Sequence, residues 1–479
     1  MLPSQVIDQL VQVVGAPNVL TKESDRVVYE CDAFTVERFL PAAVVLPGST
    51  EEVQRVVQIL SAHGIPFLPR GAGTGLSGGA TPLQNSVVIP LTRMDRILAV
   101  DFRNRLALVE AGVINLKLGQ VAQKRGYHFA PDPSSQGAAT IGGNIAENAG
   151  GPHTLKYGVT ANHVEALELV LPDGTVMWTS ARAPSHDGAY DIAGLLCGAE
   201  GTMGIVTRAI VRLIRLAPSL RTLLAAFRTV DDATQCVSAI IAQGIIPSAL
   251  EMMDRATIQA VEEAFQLGLP TDADAILVIE LDQLEAGIDE DIRRIEEICL
   301  AHRSRKISMA QTAEERAQLW QARRLAVAAM GRLAPSYVIQ DGVVPRTKLP
   351  HILRHVARVS AEYDIPIANV MHAGDGNIHP ILLFDERDPE QVRRVLAASG
   401  EILAECMRLG GTVTGEHGIG IEKAKFLPRM FSEDDLKLMD DVRSVFDPRG
   451  LCNPGKVFPA GTTAGDGLSA EAQEEASAS

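Results

Sequence analysis

The most constraining feature of the sequence is a run of five glycines within nine residues, Gly71, Gly73, Gly75, Gly78 and Gly79, set in PRGAGTGLSGGATP. The spacing Gly73-Thr-Gly75-Leu-Ser-Gly78 matches a dinucleotide fingerprint. That fingerprint needs a helix that opens directly from the loop, with its N-terminus on a pyrophosphate. Here Ala80, Thr81, Pro82 and Asn85 follow, and then SVVIPL, which reads as a strand. A doubly wound nucleotide fold is therefore excluded at this position. What remains is a loop whose backbone N–H groups can turn inward onto an anion.

Two further segments share this character. PDPSSQGAATIGGNIAENAGG, at 131–151, and GAEGTMGIVT, at 198–207, combine small residues with hydroxyls and amides. Small residues let a backbone approach a large planar or phosphorylated ligand. Three such segments in the first half point to one extended ligand threaded between them.

Composition removes several partners. The net charge is −15, which disfavours nucleic acid and anionic membrane surfaces. No apolar stretch is long enough to span a bilayer, and MLPSQVIDQLVQVVG has no basic n-region of a secretory signal. The six cysteines, Cys31, Cys197, Cys236, Cys299, Cys406 and Cys452, form no CxxC pair. They read as reduced thiols of a cytoplasmic protein, not as an iron–sulfur site.

Along the chain, Ser49 and Glu52 have capping-box spacing, and Val53, Val56, Val57 and Leu60 repeat at helical spacing, so a helix is predicted over 49–63. From 106 to 215 the pattern is β-rich, with a helix near 116–125. From about residue 220 strands and helices alternate, as in an α+β domain. Strands are expected at TLLAAF, ALEMM, AILVIEL and YVIQDGVVP, and helices at 231–243, 288–302, 313–333, 348–363 and 389–409. The Ala/Ser/Glu-rich stretch 462–479 is expected to be disordered.

The second half carries a metal-like constellation. His372 and His379 are seven residues apart, too far for one metal on a helix. The Gly374-Asp375-Gly376-Asn377 turn instead predicts a hairpin with both imidazoles side by side. Glu416 and His417 lie in GGTVTGEHGIG. Two imidazoles and a carboxylate suit a divalent first-row metal, zinc or manganese, with open positions, and His417 suits a proton acceptor. The residues alone leave zinc hydrolysis open, although HExxH is absent.

These motifs resemble the FAD-linked oxidases of the vanillyl-alcohol oxidase/p-cresol methylhydroxylase superfamily, from about residue 41 to 459. HAGDGNIHP, GEHGIG and NPGKVFP are similar to the signatures of its 2-hydroxy-acid dehydrogenase branch. Within the branch the resemblance is greatest to the large flavoprotein subunit of bacterial glycolate oxidases, and looser to D-lactate and D-2-hydroxyglutarate dehydrogenases.

The resemblance implies an α+β protein. An N-terminal helical segment, 1–36, precedes a two-subdomain FAD-binding domain of the p-cresol methylhydroxylase type, 37–216. An α+β substrate (cap) domain with an antiparallel sheet follows at 217–445, and 446–461 returns to the flavin. FAD would be held by Pro69, Arg70, Gly71, Gly73, Thr74, Gly75, Ser77 and Gly78 of the first loop. The second segment would add Pro131, Ser134, Thr140, Gly142, Gly143, Asn144, Asn148 and Gly150. The remaining contacts would come from Gly204, Ile205, Val206 and Asn453. Thr74 stands where covalent relatives can carry His, so the FAD is expected to be non-covalent.

His372, His379 and Glu416 fall on the branch's metal ligands, His417 on its base, and Arg323 on the residue that clasps the substrate carboxylate. Val327, Ile339 and Ile381 stand where 2-hydroxyglutarate enzymes carry Thr, Lys and Asn. This favours a small monocarboxylate, glycolate or D-lactate. The expected activity is oxidation of that 2-hydroxy acid by hydride transfer to FAD. The resemblance also implies a glycolate oxidase complex with a second flavin subunit and an iron–sulfur subunit, the whole peripheral at the inner membrane through those partners. The alternatives are a stand-alone D-lactate or D-2-hydroxyglutarate dehydrogenase with a quinone or cytochrome acceptor, and a non-catalytic flavin subunit of an electron-transfer complex.

Overall fold

The computed structural model describes residues 2–83, 85–180 and 190–459. The stretch 462–479 lies outside the described residues. The chain divides into two units. Unit 1 is Met1–Gly150, Val159–Leu216 and Glu416–Ser479, and unit 2 is Gly151–Gly158 and Ala217–Gly415.

Among the described residues, unit 1 holds two larger sheets and a two-stranded pair, Tyr127–His128 with Ile214–Arg215. The first orders its strands Val19–Leu20, Ala43–Val45, Val87–Pro90, Phe67–Arg70, with the last three parallel. Helix Thr50–Ala62 covers it and buries Val53, Val56, Val57 and Leu60, the stripe read from the sequence. Ser49 Oγ accepts the Glu52 N–H at 3.2 Å, while the Glu52 carboxylate reaches one residue beyond the cap, to the Gly48 N–H at 2.7 Å. Helix Ser4–Val14 packs Val6, Leu10 and Val14 into the same core.

The second sheet is antiparallel, with Ile205–Arg212 central between Leu106–Glu110 and Val164–Val170. Ile205, Ala209 and Val211 of its central strand face the core, as period-2 alternation requires. The first sheet draws strand Val19–Leu20 from the segment 1–36 that was expected to be helical. Among the described residues, no helix separates the loop after Phe67–Arg70 from the strand Val87–Pro90, in keeping with the exclusion of a doubly wound fold.

Unit 2 is built on one antiparallel sheet. Its order is Ser304–Met309, Ser219–Phe227, Ala275–Gln283, Ala249–Asp254, Ile367–His372, Asn377–Phe384, Ser336–Ile339. Central strand Ala275–Gln283 is buried along nearly its whole length, which is why AILVIEL reads as an unbroken apolar run rather than an alternating one. Helices Val230–Ala242, Glu285–Ala301 and Leu349–Tyr363 cover the face that carries Met252 and Met371. In the second of these, Gly287 at φ +102° delays regular helix to the predicted start at 288.

The single strand expected at YVIQDGVVP is two, Ser336–Ile339 and Gly342–Val343. The break falls at Gln340 and Asp341. Asp341 is buried and accepts from Thr414 Oγ1 at 2.6 Å and the Gly415 N–H at 2.8 Å, so its position serves a loop rather than the ladder. Among the described residues, no helix is long and apolar enough to cross a membrane.

Candidate active site

In unit 1 the three glycine-rich segments meet. A Cβ on Gly71 would lie 2.6 Å from Thr140 Oγ1, so the first loop rests against the N-terminus of helix Ile141–Glu147. Thr140 caps that helix by accepting the Gly143 N–H at 3.1 Å. The third segment closes on both. Gly198 and Glu200 donate their N–H groups to Ile145 O and Ala146 O, each at 2.8 Å, and a Cβ on Gly201 would sit 2.6 Å from Pro69. Gly204, Ile205 and Val206 follow where the central strand begins.

Asn453 completes the cradle from the far end of the chain. Its Nδ2 donates to Gly79 O at 2.9 Å and to Glu200 O at 2.7 Å. Gly142 packs against Ala111, Pro131 O accepts from Asn115 Nδ2, and Asn148 caps its helix in the left-handed region at φ +50°. Arg70 donates to Cys31 O at 2.8 Å and Ala80 O at 3.1 Å, which makes it a brace beneath the loop. Ser134 lies exposed on the turn that precedes the helix. The buried Asn144 Nδ2 and Thr81 Oγ1 have no hydrogen-bond partner among the described residues. Side-chain-free backbone and buried polar atoms of this kind fit a bound FAD, whose phosphates and ring edges would satisfy them.

Glu416 and His417 belong to the same unit, and their segment is strapped to the cradle. Ser77 Oγ donates to His417 O at 2.9 Å, and Ser77 O accepts the Ile421 N–H at 3.0 Å. The Glu200 carboxylate accepts the N–H groups of Ile419 at 2.5 Å and Gly420 at 2.8 Å. Burial raises the pKa of Glu200 to about 7 and that of Asp32 to about 6. Glu147 is held well above its ordinary value by burial and by the neighbouring Glu200. Burial lowers Lys456 to about 8.

In unit 2 the predicted hairpin is present. Strand Ile367–His372 pairs with Asn377–Phe384, and Val370 lies opposite His379. His372 and His379 are therefore diagonal neighbours on one face, with ring centroids 5.0 Å apart and planes at 87°. Gly376 turns at φ +76°, where a Cβ would collide with Val344 O. Each imidazole has its Nδ1 engaged. His372 faces Glu251 Oε1 at 2.8 Å, and His379 faces Gln340 O at 3.2 Å with Asp341 Oδ1 at 3.8 Å. An N–H at Nδ1 leaves Nε2 as the ligating nitrogen of each ring, a donor pair that fits a first-row divalent ion.

Arg323, on helix Ala313–Met330, is buried and donates from Nε to Glu251 Oε2 at 2.7 Å. Burial works to raise Glu251, but the charges and hydrogen bonds of His372 and Arg323 prevail and hold it below the usual carboxylate range. One turn earlier, Trp320 Nε1 donates to Glu280 Oε2 at 2.7 Å. Glu280 also accepts from Thr222 Oγ1 at 2.6 Å and Arg316 Nε at 2.9 Å, and its Oε1 meets His153 Nε2 at 3.3 Å. Burial again opposes ionisation, yet the hydrogen bonds and charge of His153 and Arg316 bring Glu280 down to about 2. Ile339 and Ile381 face each other across paired strands, and both are buried.

Glu251, Glu280 and Asp341 are the residues the sequence reading missed. The available signal was an acid inside an otherwise apolar strand run, as in ALEMM and AILVIEL.

Two family models match the chain, and the second runs on from unit 2 through the residues 416–457 of unit 1. The FAD binding domain model matches residues 41–180, and the model described as FAD linked oxidases, C-terminal domain, matches residues 216–457. The glycolate oxidase subunit GlcD of Escherichia coli (strain K12) is 41% identical over 456 residues, covering 95% of this chain and 91% of the relative. A D-lactate dehydrogenase of Anaerostipes hadrus is 31% identical, over 87% of this chain and 89% of the relative. The solved 4-ethylphenol oxidase from Gulosibacter chungangensis superposes with a TM-score of 0.79 at 21% identity, covering 95% of this chain and 97% of that one, and so shares the fold. By its sequence relatives and its two domain matches, the chain belongs to the FAD-linked oxidases.

Proposed function

We propose that the protein oxidises a small 2-hydroxy acid, glycolate or D-lactate, to the 2-oxo acid with FAD as the oxidant. The observation that carries this reading is the buried group in unit 2, where Glu251 joins Arg323 to His372 beside His379. A guanidinium and two imidazoles on one sheet face are suited to a carboxylate and a metal, in a chain whose other unit is an FAD domain.

FAD, when bound, supplies the acceptor for the hydride from the substrate's α-carbon. His372, His379 and Glu416 would hold a divalent ion, zinc or manganese, which would supply Lewis acidity toward the hydroxyl. Arg323 clasps the carboxylate with the Nη edge of its guanidinium, since Nε is committed to Glu251. His417 takes the hydroxyl proton. Thr74 in the phosphate loop supports non-covalent FAD. The apolar pair Ile339 and Ile381 supports a monocarboxylate over a dicarboxylate, whose second carboxylate would find no charged partner there.

The GlcD relative is named as a subunit, which supports work within a multi-subunit complex; a second flavin subunit and an iron–sulfur subunit are the partners we propose for it. In that setting the chain would be cytoplasmic and peripheral to the inner membrane. The D-lactate dehydrogenase relative supports a second reading, a stand-alone D-lactate dehydrogenase.

Anaerobic titration of the purified flavoprotein with glycolate, D-lactate, L-lactate and D-2-hydroxyglutarate tests the function. Bleaching of the flavin by glycolate or D-lactate is expected. Bleaching by none of the four overturns the proposal.

A further inference from the structure

Glu251 is nine-tenths or more buried and lies on strand Ala249–Asp254, one position beyond the pair Met252 and Met371. That register puts it directly opposite His372. Its Oε2 accepts from Arg323 Nε at 2.7 Å and lies 2.9 Å from His372 Nδ1, while its Oε1 lies 2.8 Å from the same nitrogen. One carboxylate therefore touches both the guanidinium and the imidazole. We propose that Glu251 is a positioning residue that sets the substrate clamp Arg323 and the metal ligand His372 together, through one carboxylate shared between Nε and Nδ1. The proposal rests on the functional reading above.

An ionised carboxylate only accepts, so it fixes the His372 proton on Nδ1 and presents the Nε2 lone pair for ligation. The same group ties down one edge of Arg323 and turns the Nη edge to a substrate carboxylate. An amide does both poorly. With the oxygen of a Gln at 251 in the place of Oε2, it would accept from both nitrogens. Its NH2 would then stand in the place of Oε1, 2.8 Å from Nδ1, donor against donor. That repulsion is relieved by moving the proton to Nε2, which then cannot ligate. If the oxygen faced His372, the NH2 would confront the Nε–H donor and displace Arg323.

The test uses the full-length flavoprotein freed of divalent metal by chelation with FAD retained. Affinity for zinc or manganese alone is read by competition with a chelating dye. The glycolate concentration that half-saturates anaerobic flavin reduction is read separately. Glu251→Gln is expected to weaken metal binding by about 10–100-fold and to raise the half-saturating glycolate, with FAD content unchanged. Arg323→Met is expected to raise the glycolate requirement while metal affinity stays within about threefold, a split that a merely structural loss would not produce. If Glu251→Gln does not fold, Glu251→Asp keeps the charge but withdraws it by one methylene, and the same two quantities are expected to move. Wild-type metal affinity retained within twofold by the folded variant overturns the proposal. A wild type that binds neither metal but is bleached by glycolate overturns the metal reading itself, a distinguishable failure.

Discussion

Substituting Gly420 by Ala adds a single methyl group where the backbone strap crosses the first glycine loop. Gly420 sits at φ +54°, and a Cβ there would overlap Ser77 O, lie 2.5 Å from Ser77 C and 2.9 Å from Gly79 N. The left-handed conformation alone costs Ala about 1–2 kcal/mol. The collision is with backbone on both sides and cannot be relieved by a rotamer change, so about 1–3 kcal/mol of overpacking adds to it. Relief by lifting the strap would break the Ile421–Ser77 bond and leave the buried Glu200 carboxylate short of two donors, at about 1 kcal/mol or more for each. The expected loss is about 3–5 kcal/mol, a large fraction of the 5–15 kcal/mol that holds an ordinary domain together. Gly126→Ala is the matched control, because Gly126 is in the same unit at φ +78° with nothing within 4 Å of an added Cβ. It should cost only the conformational share. Urea unfolding of both variants, followed by flavin and tryptophan fluorescence, gives the difference. Equal losses within about 0.5 kcal/mol would refute the reasoning, since the clash would then have no energetic consequence.

Replacing His417 by Ala should leave FAD bound but slow flavin reduction by glycolate about 10²–10⁴-fold, the usual share of a positioned base. An unchanged bleaching rate in stopped flow would remove that role. Glu280 predicts an acid-sensitive unit 2. Its pKa falls from 4.5 to about 2 on folding, so its stabilisation is complete above about pH 4.5 and disappears as the pH drops toward 2. That depression is worth about 3 kcal/mol. Glu280→Gln should flatten the fall of the urea midpoint between about pH 5 and 3, and an unaltered slope would sink the assignment.

Much of this was legible in the sequence because the signals are local. Ser49 and the stripe Val53, Val56, Val57 and Leu60 define a helix from within, and the Gly374 to Asn377 turn fixes which residues of the hairpin share a face. The helix Ile141–Glu147 was not expected, since Gly142 and Gly143 lower its propensity; the Thr140 cap and packing of Ile141 and Ile145 into the core override that. Glu251 was invisible for a different reason. Its partners Arg323 and His372 lie 72 and 121 positions away, and no periodicity links residues across such distances. Likewise the strap partner of Ile419 is 219 positions upstream at Glu200.

That last separation bears on synthesis. Unit 1 draws strand contacts from both ends of the chain: the Phe67 N–H donates to Leu451 O, and the Asn453 N–H to Phe67 O. On the ribosome the glycine loops emerge early, yet the residues that close over them are translated only after all of unit 2. At ~5–20 residues per second the wait for some 370 residues is tens of seconds. The flavin domain is thus finished last although it begins first, and a nascent chain halted before residue 450 should leave the Phe67 backbone N–H and C=O without the partners that Leu451 and Asn453 supply.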